Sequence, residues 1–142
     1  MERFCINISR IISIKPYYKA PELREEDENH RPIEFGYVDG HAVDMWALGP
    51  ILFMLVCKFQ PWDLAMMADT RFGAFSRGDF APTLASWATM EGGLDLGLSP
   101  NLVDLLQGMF WADPRRRLSL AQVRAHPWMD GPVVDPQLLR PF

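Results

Sequence analysis

The sequence predicts an all-α domain with long loops, built around one buried central helix at about residues 41–58. Residues 45–57 form an unbroken apolar run, which is typical of a helix that protein surrounds on every face. Two later stretches carry signals for helix starts. No stretch shows the sustained apolar–polar alternation of a half-buried strand. Together these patterns favour helices over sheet.

The central helix is the element against which the rest of the chain is expected to pack. Its apolar run is shorter than the about 20 residues of a membrane span, and Asp44 immediately precedes it. Gly49 would let a neighbouring element approach closely. Pro50 removes a backbone hydrogen bond and clashes with the Trp46 carbonyl, at roughly 3 kcal/mol, so we expect a kink. A buried strand is the alternative, but strands of this length are uncommon.

The part of the chain before the central helix shows weaker patterns. Residues 1–15 predict a short strand or an irregular arm, and Pro16 and Pro21 bracket an extended turn. Residues 22–27 are long enough for one helical turn. Residues 29–40 are polar and contain Pro and Gly, which predicts a loop.

Helical patterns return after the central helix. Residues 63–80 show a weak one that ends at the turn 76–79, and residues 83–90 predict a short helix closed by two glycines. Ser99 followed by Pro100 is a helix start, with an N-cap and a proline at the first helical position.

Ser119 and Gln122 form a capping box that opens a final short helix, which ends before Pro127.

Composition and charge narrow the functional classes. A chain of 142 residues suits one domain, and its net charge of −4 argues against nucleic acid or an anionic membrane as the main partner. Two cysteines do not make a disulfide framework, and the N-terminal residues show no secretory signal. We therefore expect a reducing compartment, the cytoplasm or the nucleus.

Three segments, in this order, resemble motifs of the protein kinase family. KPYYKAPEL at 15–23 is similar to the end of the activation segment, and VDMWALGPILFMLVCKFQPW at 43–62 resembles the family's D-x-W segment with its helix. The stretch at 98–128 is similar to the closing segment, with its D-P-x-x-R and H-P-W motifs. The type is that of calmodulin-dependent serine/threonine kinases.

The resemblance implies a partial kinase C-terminal lobe at residues 15–130. Residues 1–14 then form an unassigned N-terminal arm, and residues 131–142 form a C-terminal tail.

The family transfers phosphate from ATP, with magnesium, to serine and threonine side chains of proteins. The motifs for this chemistry are a Gly-rich loop, a strand lysine, an H-R-D base and a DFG aspartate. The sequence contains none of them: His30 is followed by Arg-Pro, His41 by Ala-Val, and no Asp precedes Lys15. We therefore expect no catalytic, cofactor-binding or metal-binding residue, no activity from this chain alone, and a protein as substrate or partner.

The resemblance assigns structural roles to five residues. Glu22 and Arg117 match a buried ion pair of the family, against the alternative of two exposed charges. Asp44 matches an aspartate that accepts hydrogen bonds from the catalytic loop, so it would be costly here if buried. Trp46 and Gly49 match the rest of the D-x-W-x-x-G motif.

Three residues are candidates for substrate docking by the same resemblance: Pro16, Tyr17 and Tyr18. In the family they belong to the loop that lines the pocket for the substrate residue after the phosphoacceptor. Ile14-Lys15 replace the family's Gly-[Ser/Thr], so an ordinary surface loop is an equal alternative.

Two other signals have local explanations. Ser119 follows a basic run, as in a phosphorylation site, but it is expected to be occupied as a helix cap. His126 is expected to pack in its turn, since no second ligand stands at zinc spacing.

An apolar surface is expected where a catalytic loop would pack. Three functions stay open: a kinase fragment, a non-catalytic kinase-like binding module, and a remnant without function.

Overall fold

The computed structural model describes residues 5–7, 18–23, 37–63 and 67–132. Five α-helices lie in these ranges, and the all-α prediction is confirmed. The helices are α1 (Gly40–Cys57), α2 (Thr70–Arg77), α3 (Phe80–Thr89), α4 (Pro100–Phe110) and α5 (Leu120–Arg124). Short 3-10 turns cover Pro21–Leu23 and Pro127–Asp130.

Two short strands precede α1 and pair antiparallel. They are β1 (Cys5–Asn7) and β2 (Tyr37–Asp39), with Ile6 opposite Val38. β1 lies within the arm for which a short strand was predicted, but β2 lies in a stretch predicted to be loop. Three residues are too few to show alternation, so the pairing rests on the partner strand rather than on a local pattern. β2 leads directly into α1, because Asp39 accepts a hydrogen bond from the His41 amide at 3.0 Å.

The central helix α1 begins and ends within one residue of its predicted bounds. It runs without a break through Pro50, which is fully buried. Its end is set by Lys58, whose φ of 67° places it in the left-handed region while its amide donates to the Met54 carbonyl at 3.0 Å. By length and apolarity α1 could also cross a membrane, a criterion that core helices of soluble proteins meet as well.

The two faces of α1 have different surroundings. Its inward face is buried, and it comprises Gly40, Val43, Met45, Trp46, Gly49, Pro50 and Phe53. Its outward stripe is exposed: Leu48 by 45%, Ile51 by 40% and Leu55 by 64%. The expectation of burial on every face is therefore wrong for this stripe. The run is apolar all round, so its pattern could not show which face would be covered.

An aromatic cluster fills the space between α1 and the later helices. Trp46 and Trp62 have ring centroids 5.6 Å apart, and Phe110 lies 5.2 Å from Trp62. Phe75 and Phe80 meet edge to face at 4.7 Å. Tilted and edge-to-face contacts at these distances are the favourable arrangements of aromatic rings. This cluster holds α2, α3 and α4 against the inward face of α1.

Gln107, on α4, fixes the connection between α2 and α3. Its side-chain oxygen accepts from the Phe80 amide at 3.1 Å, and its side-chain nitrogen donates to the Phe75 carbonyl at 3.0 Å. α2 ends at Gly78, whose φ of 106° is left-handed and favours glycine. Because Gln107 holds the Phe80 amide, α3 begins three residues before the predicted Thr83.

The last two helices, α4 and α5, begin directly after the N-cap residues predicted from the sequence. The Ser99 hydroxyl accepts from the Leu102 amide at 3.2 Å, ahead of Pro100. Ser119 and Gln122 form the capping box of α5 in both directions, at 3.3 Å and 2.8 Å.

Candidate functional site

A buried arginine joins the segment 18–23 to the C-terminal part of the chain. Arg117 makes a two-pronged ion pair with Glu22, with Nη1–Oε1 at 2.7 Å and Nη2–Oε2 at 2.9 Å. The Arg117 side chain is completely buried, and that of Glu22 is 14% exposed. The pair has the parallel geometry in which guanidinium and carboxylate bind most strongly.

The remaining donors of Arg117 all reach backbone carbonyls. Nε donates to the Trp111 carbonyl at 3.0 Å, Nη1 to that of Ala42 at 2.6 Å, and Nη2 to that of Ala112 at 3.2 Å. A guanidinium has five N–H groups, so every donor of this buried cation has an acceptor. A buried charge is tolerated when it is paired and hydrogen-bonded in this way.

Trp46 lies beside this arginine. The centre of its ring is 5.0 Å from the guanidinium carbon, within the range of a cation–π contact. The ring is fully buried, and its Nε1 has no hydrogen-bond partner among the residues the structure describes. Gly49, one turn further along α1, lies against Phe110: a Cβ atom there would be 2.7 Å from Phe110 Cε1.

The segment 18–23 lies next to the ion pair. Ala20 and Leu23 are buried in the core, and the Leu23 amide donates to the Ala20 carbonyl at 3.0 Å. Tyr18 is half-buried at the start of the segment. The other two candidate docking residues, Pro16 and Tyr17, lie outside the described residues.

Asp44 stands apart from this site. It is exposed in the first turns of α1, so the desolvation cost that burial would bring does not arise. The structure thus brings Glu22, Arg117 and Trp46 together, places Gly49 one turn away at the α1–α4 contact, and leaves Asp44 at the surface.

Several residues around the site carried no sequence signal. Backbone carbonyls of Trp111 and Ala42 cannot be read from residue types, and Gln107 acts through contacts 27 and 32 positions away in sequence. His126 is in its expected local turn: Nδ1 accepts from the Trp128 amide at 3.2 Å, while Nε2 lies 3.0 Å from Asp104 Oδ2. The partner Asp104 was not predicted.

The surroundings of Asp113 and of Cys57 shift the pKa values of these two side chains. Hydrogen bonds from Arg115 lower the pKa of Asp113 to about 2. Burial raises the pKa of the Cys57 thiol, which keeps it protonated and a poor nucleophile.

The cavities beside α3 and α4 do not suit magnesium ATP. Two cavities, of about 180 Å³ and 480 Å³, lie along α3 and α4. Their charged lining residues are Asp95 and Asp104, and neither lysine nor arginine lines them among the described residues. A triphosphate needs cationic or N–H donor groups. The carboxylates of Asp95 and Asp104 would repel it.

Comparison with known proteins gives the family. The model of the protein kinase domain matches residues 10–129. The SNF-related serine/threonine-protein kinase of Rattus norvegicus is 34% identical over 119 residues, covering 84% of this chain and 13% of the relative. Serine/threonine-protein kinase chk1 of Schizosaccharomyces pombe is 30% identical over 114 residues, covering 80% and 19%.

Serine/threonine-protein kinase SIK1 of Rattus norvegicus is 32% identical over 127 residues, covering 88% of this chain and 13% of the relative. The chain thus spans between 13% and 19% of the length of these three relatives. Its motifs for the activation segment, the central helix and the closing helices lie inside the matched range. The chain therefore belongs to the serine/threonine protein kinase family, of whose domain it contains a part.

Proposed function

We propose that this chain is the substrate-facing lower part of a serine/threonine kinase C-terminal lobe and does not transfer phosphate by itself. The observation that carries the proposal is the buried Glu22–Arg117 pair, which attaches the segment 18–23 to α1 and to the turn before α5. In the family, the loop just before this glutamate receives the protein substrate.

The geometry supports a rigid platform for that loop. Arg117 contacts three separate parts of the chain, through Glu22, Ala42 and Trp111. Glu22 is thereby held at a fixed distance from the first turn of α1. Tyr18 lies four residues earlier in the same short segment, and Pro16 and Tyr17 directly precede it in sequence. We propose these three as the substrate-docking residues.

Catalytic inactivity of the chain alone is the second half of the proposal. ATP and magnesium supply the phosphoryl group and neutralise its charge in this family. The sequence lacks the Gly-rich loop, the lysine, the H-R-D base and the DFG aspartate that hold them. We propose that this chain takes no cofactor and that its partner is a protein.

A chimaera tests the platform. In the rat SNF-related kinase, the stretch that matches this chain is exchanged for the chain itself. The phosphorylation of a serine-containing peptide by this chimaera is then measured. We expect an active enzyme that loses activity with Arg117→Ala and keeps it with Arg115→Ala, an exposed neighbour. A folded but inactive chimaera would favour the second candidate, a non-catalytic kinase-like binding module. The exposed apolar stripe of α1 supports that candidate, because such a surface can bind a partner.

A thermal melt of the isolated chain tests inactivity. Ligands that bind the folded state raise its melting temperature with occupancy. We expect millimolar magnesium ATP to leave the melting temperature unchanged. A rise that follows the ATP concentration would refute the proposal.

We also infer a cytoplasmic or nuclear setting. The Cys57 side chain is a half-buried free thiol, which suits a reducing compartment. Fluorescence microscopy of the tagged chain checks this inference, and a signal confined to the secretory pathway would contradict it.

A further inference from the structure

A groove runs between α3 and α4, away from the Glu22–Arg117 pair. Its two adjoining cavities, of about 180 Å³ and 480 Å³, have Ala81, Leu98 and Val103 in common. One cavity extends towards Leu96 and the other towards Gln107. The shared lining makes them one continuous surface depression.

The α3 wall of this groove is apolar and consists of three alanines and one leucine. Ala81, Ala85 and Ala88 are four and three positions apart, so they lie on one face of the helix, and all three are exposed. Leu98 and Val103 supply the larger apolar contacts opposite. The three alanines leave room for another chain to approach the helix backbone closely. The groove is therefore shaped for a peptide segment with apolar side chains.

The charges of the groove are negative at both ends. Asp95 lines one cavity and Asp104 the other, and neither Lys nor Arg lines either among the described residues. Asp95 Oδ1 accepts from the Gly97 amide at 2.9 Å, and Asp104, 82% exposed, contacts His126 through one oxygen. An ionised carboxylate has about four acceptor positions, so each can accept further hydrogen bonds. This charge favours cations and disfavours phosphate-bearing ligands.

We propose that the groove between α3 and α4 binds a segment of a partner protein that carries apolar side chains flanked by lysine or arginine. The apolar side chains fill the depression between Ala85 and Val103. The basic residues on either side meet Asp95 and Asp104. This binding needs neither ATP nor the segment 18–23, so it goes beyond the proposed function and stands independently of it.

Selection from a phage-displayed library of random dodecapeptides tests the groove. The immobilised full chain is the target, and enriched peptides are labelled and titrated by fluorescence polarisation. We expect the enriched peptides to combine apolar residues with flanking Lys or Arg. Ala85→Arg, which fills the groove and makes it cationic, is expected to weaken their binding by about tenfold or more.

Ser86→Arg is the matched control. It adds the same side chain to the adjacent exposed position of α3, which does not line either cavity. We expect it to leave peptide binding unchanged. Circular dichroism and a thermal melt check that both variants fold like the wild-type chain. Equal binding by the Ala85→Arg variant and the wild type would overturn the proposal, as would a selection without enrichment.

Asp95→Asn tests the charge separately from the shape. Its amide oxygen can still accept from Gly97, so the loop is kept while the charge is lost. Exposed charge pairs contribute modestly and are screened by salt. We expect a loss of about threefold in affinity and a weaker dependence on salt. Enriched peptides without basic residues, bound equally by the Asp95→Asn variant, would overturn the assigned partner.

Discussion

The inward and outward faces of α1 are equally apolar in sequence but differ in their surroundings. Inward, Trp46 and Phe53 are fully buried in the aromatic cluster. Outward, Leu55 is 64% exposed, and Leu48 and Ile51 are exposed by 45% and 40%. Aromatic rings and Gly49 lie inward, whereas only aliphatic side chains line the outward stripe. Within this helix, burial therefore follows shape and partner rather than hydrophobicity.

The difference also shows which face of α1 is covered by other helices and which face is open to a partner. The inward face is filled by α2, α3 and α4 and includes the cation–π contact of Trp46 with Arg117. The outward stripe is a run of large exposed aliphatic residues, which in soluble proteins marks an interaction surface. Substitutions on the inward face should therefore change the stability of the chain more than substitutions on the outward stripe.

Replacing Arg117 by alanine should have the largest effect, because the inward side of the molecule depends on it. Glu22 would remain buried without its partner, which costs about 3–5 kcal/mol in the free energy of unfolding. Denaturant melts of Arg117→Ala, Glu22→Ala and the double variant measure this loss and its non-additivity. Arg115→Ala is the control: its pair with Asp113 is exposed, so the loss should be much smaller than that of Arg117→Ala. Small and additive losses in the Glu22 and Arg117 variants would show that the ion pair does not stabilise the fold.

Pro50→Val replaces the residue of the inward face that is least favourable for helix formation. Valine restores an N–H for the Trp46 carbonyl, and the cost of a proline in a helix interior sets a ceiling of roughly 2–3 kcal/mol for the stabilisation. We expect a gain below that ceiling in chemical denaturation. Ile51→Val, on the outward stripe, should change little. A loss at Pro50→Val would mean that the core has adapted to the proline ring.

Gly49→Ala tests how tightly α1 meets α4. The added Cβ would lie 2.7 Å from Phe110 Cε1 and 3.2 Å from Met109 Cβ. Such overpacking costs about 1–3 kcal/mol, which a gain of about 1 kcal/mol in helix propensity offsets in part. Thermal melts should therefore show a net loss of stability. The outward neighbour Leu48→Ala should lose less, and the reverse order would contradict the tight contact.

Leu55→Lys tests the outward stripe. Because the side chain is 64% exposed, the free energy of unfolding should change by less than about 0.5 kcal/mol. The apolar surface should shrink, so binding of the dye ANS and self-association in sedimentation should both decrease. A loss of several kcal/mol would show that the stripe is covered in the folded chain.

Arg115 and Arg117, which follow α4, repeat the contrast on a smaller scale. Arg115 pairs with Asp113 at the surface and lowers the pKa of that carboxyl to about 2. Since the folded-state pKa is lowered, the stabilisation is present at neutral pH and disappears as the pH falls through about 2. Titration by NMR should show this midpoint, and Arg115→Ala should raise it. An unchanged midpoint would assign the shift to another group.

The parts of the fold that the sequence predicts are those set by local chemistry. Ser99 with Pro100 and Ser119 with Gln122 fix the starts of α4 and α5 through caps that span at most four residues. The bounds of α1 follow from its apolar run. The resemblance, rather than a local pattern, led to the ion pair of Glu22 with Arg117, and its backbone acceptors are invisible in a sequence.

The parts that could not be predicted depend on distant contacts. The start of α3 is set by Gln107, which lies 27 positions after Phe80. The strand at 37–39 depends on β1, far earlier in the chain. The covered face of α1 depends on which neighbours reach it, because every face of its run is apolar.

The buried ion pair also dictates an order of assembly during synthesis. Glu22 and Arg117 are 95 positions apart, so the segment that contains Glu22 leaves the ribosome long before its partner exists. Closing so long a loop is entropically unfavourable until the intervening helices have folded. The early segment therefore gains this attachment only after residue 117 has been synthesised. Premature termination before residue 117 would leave the Glu22 carboxylate without the cation that holds it.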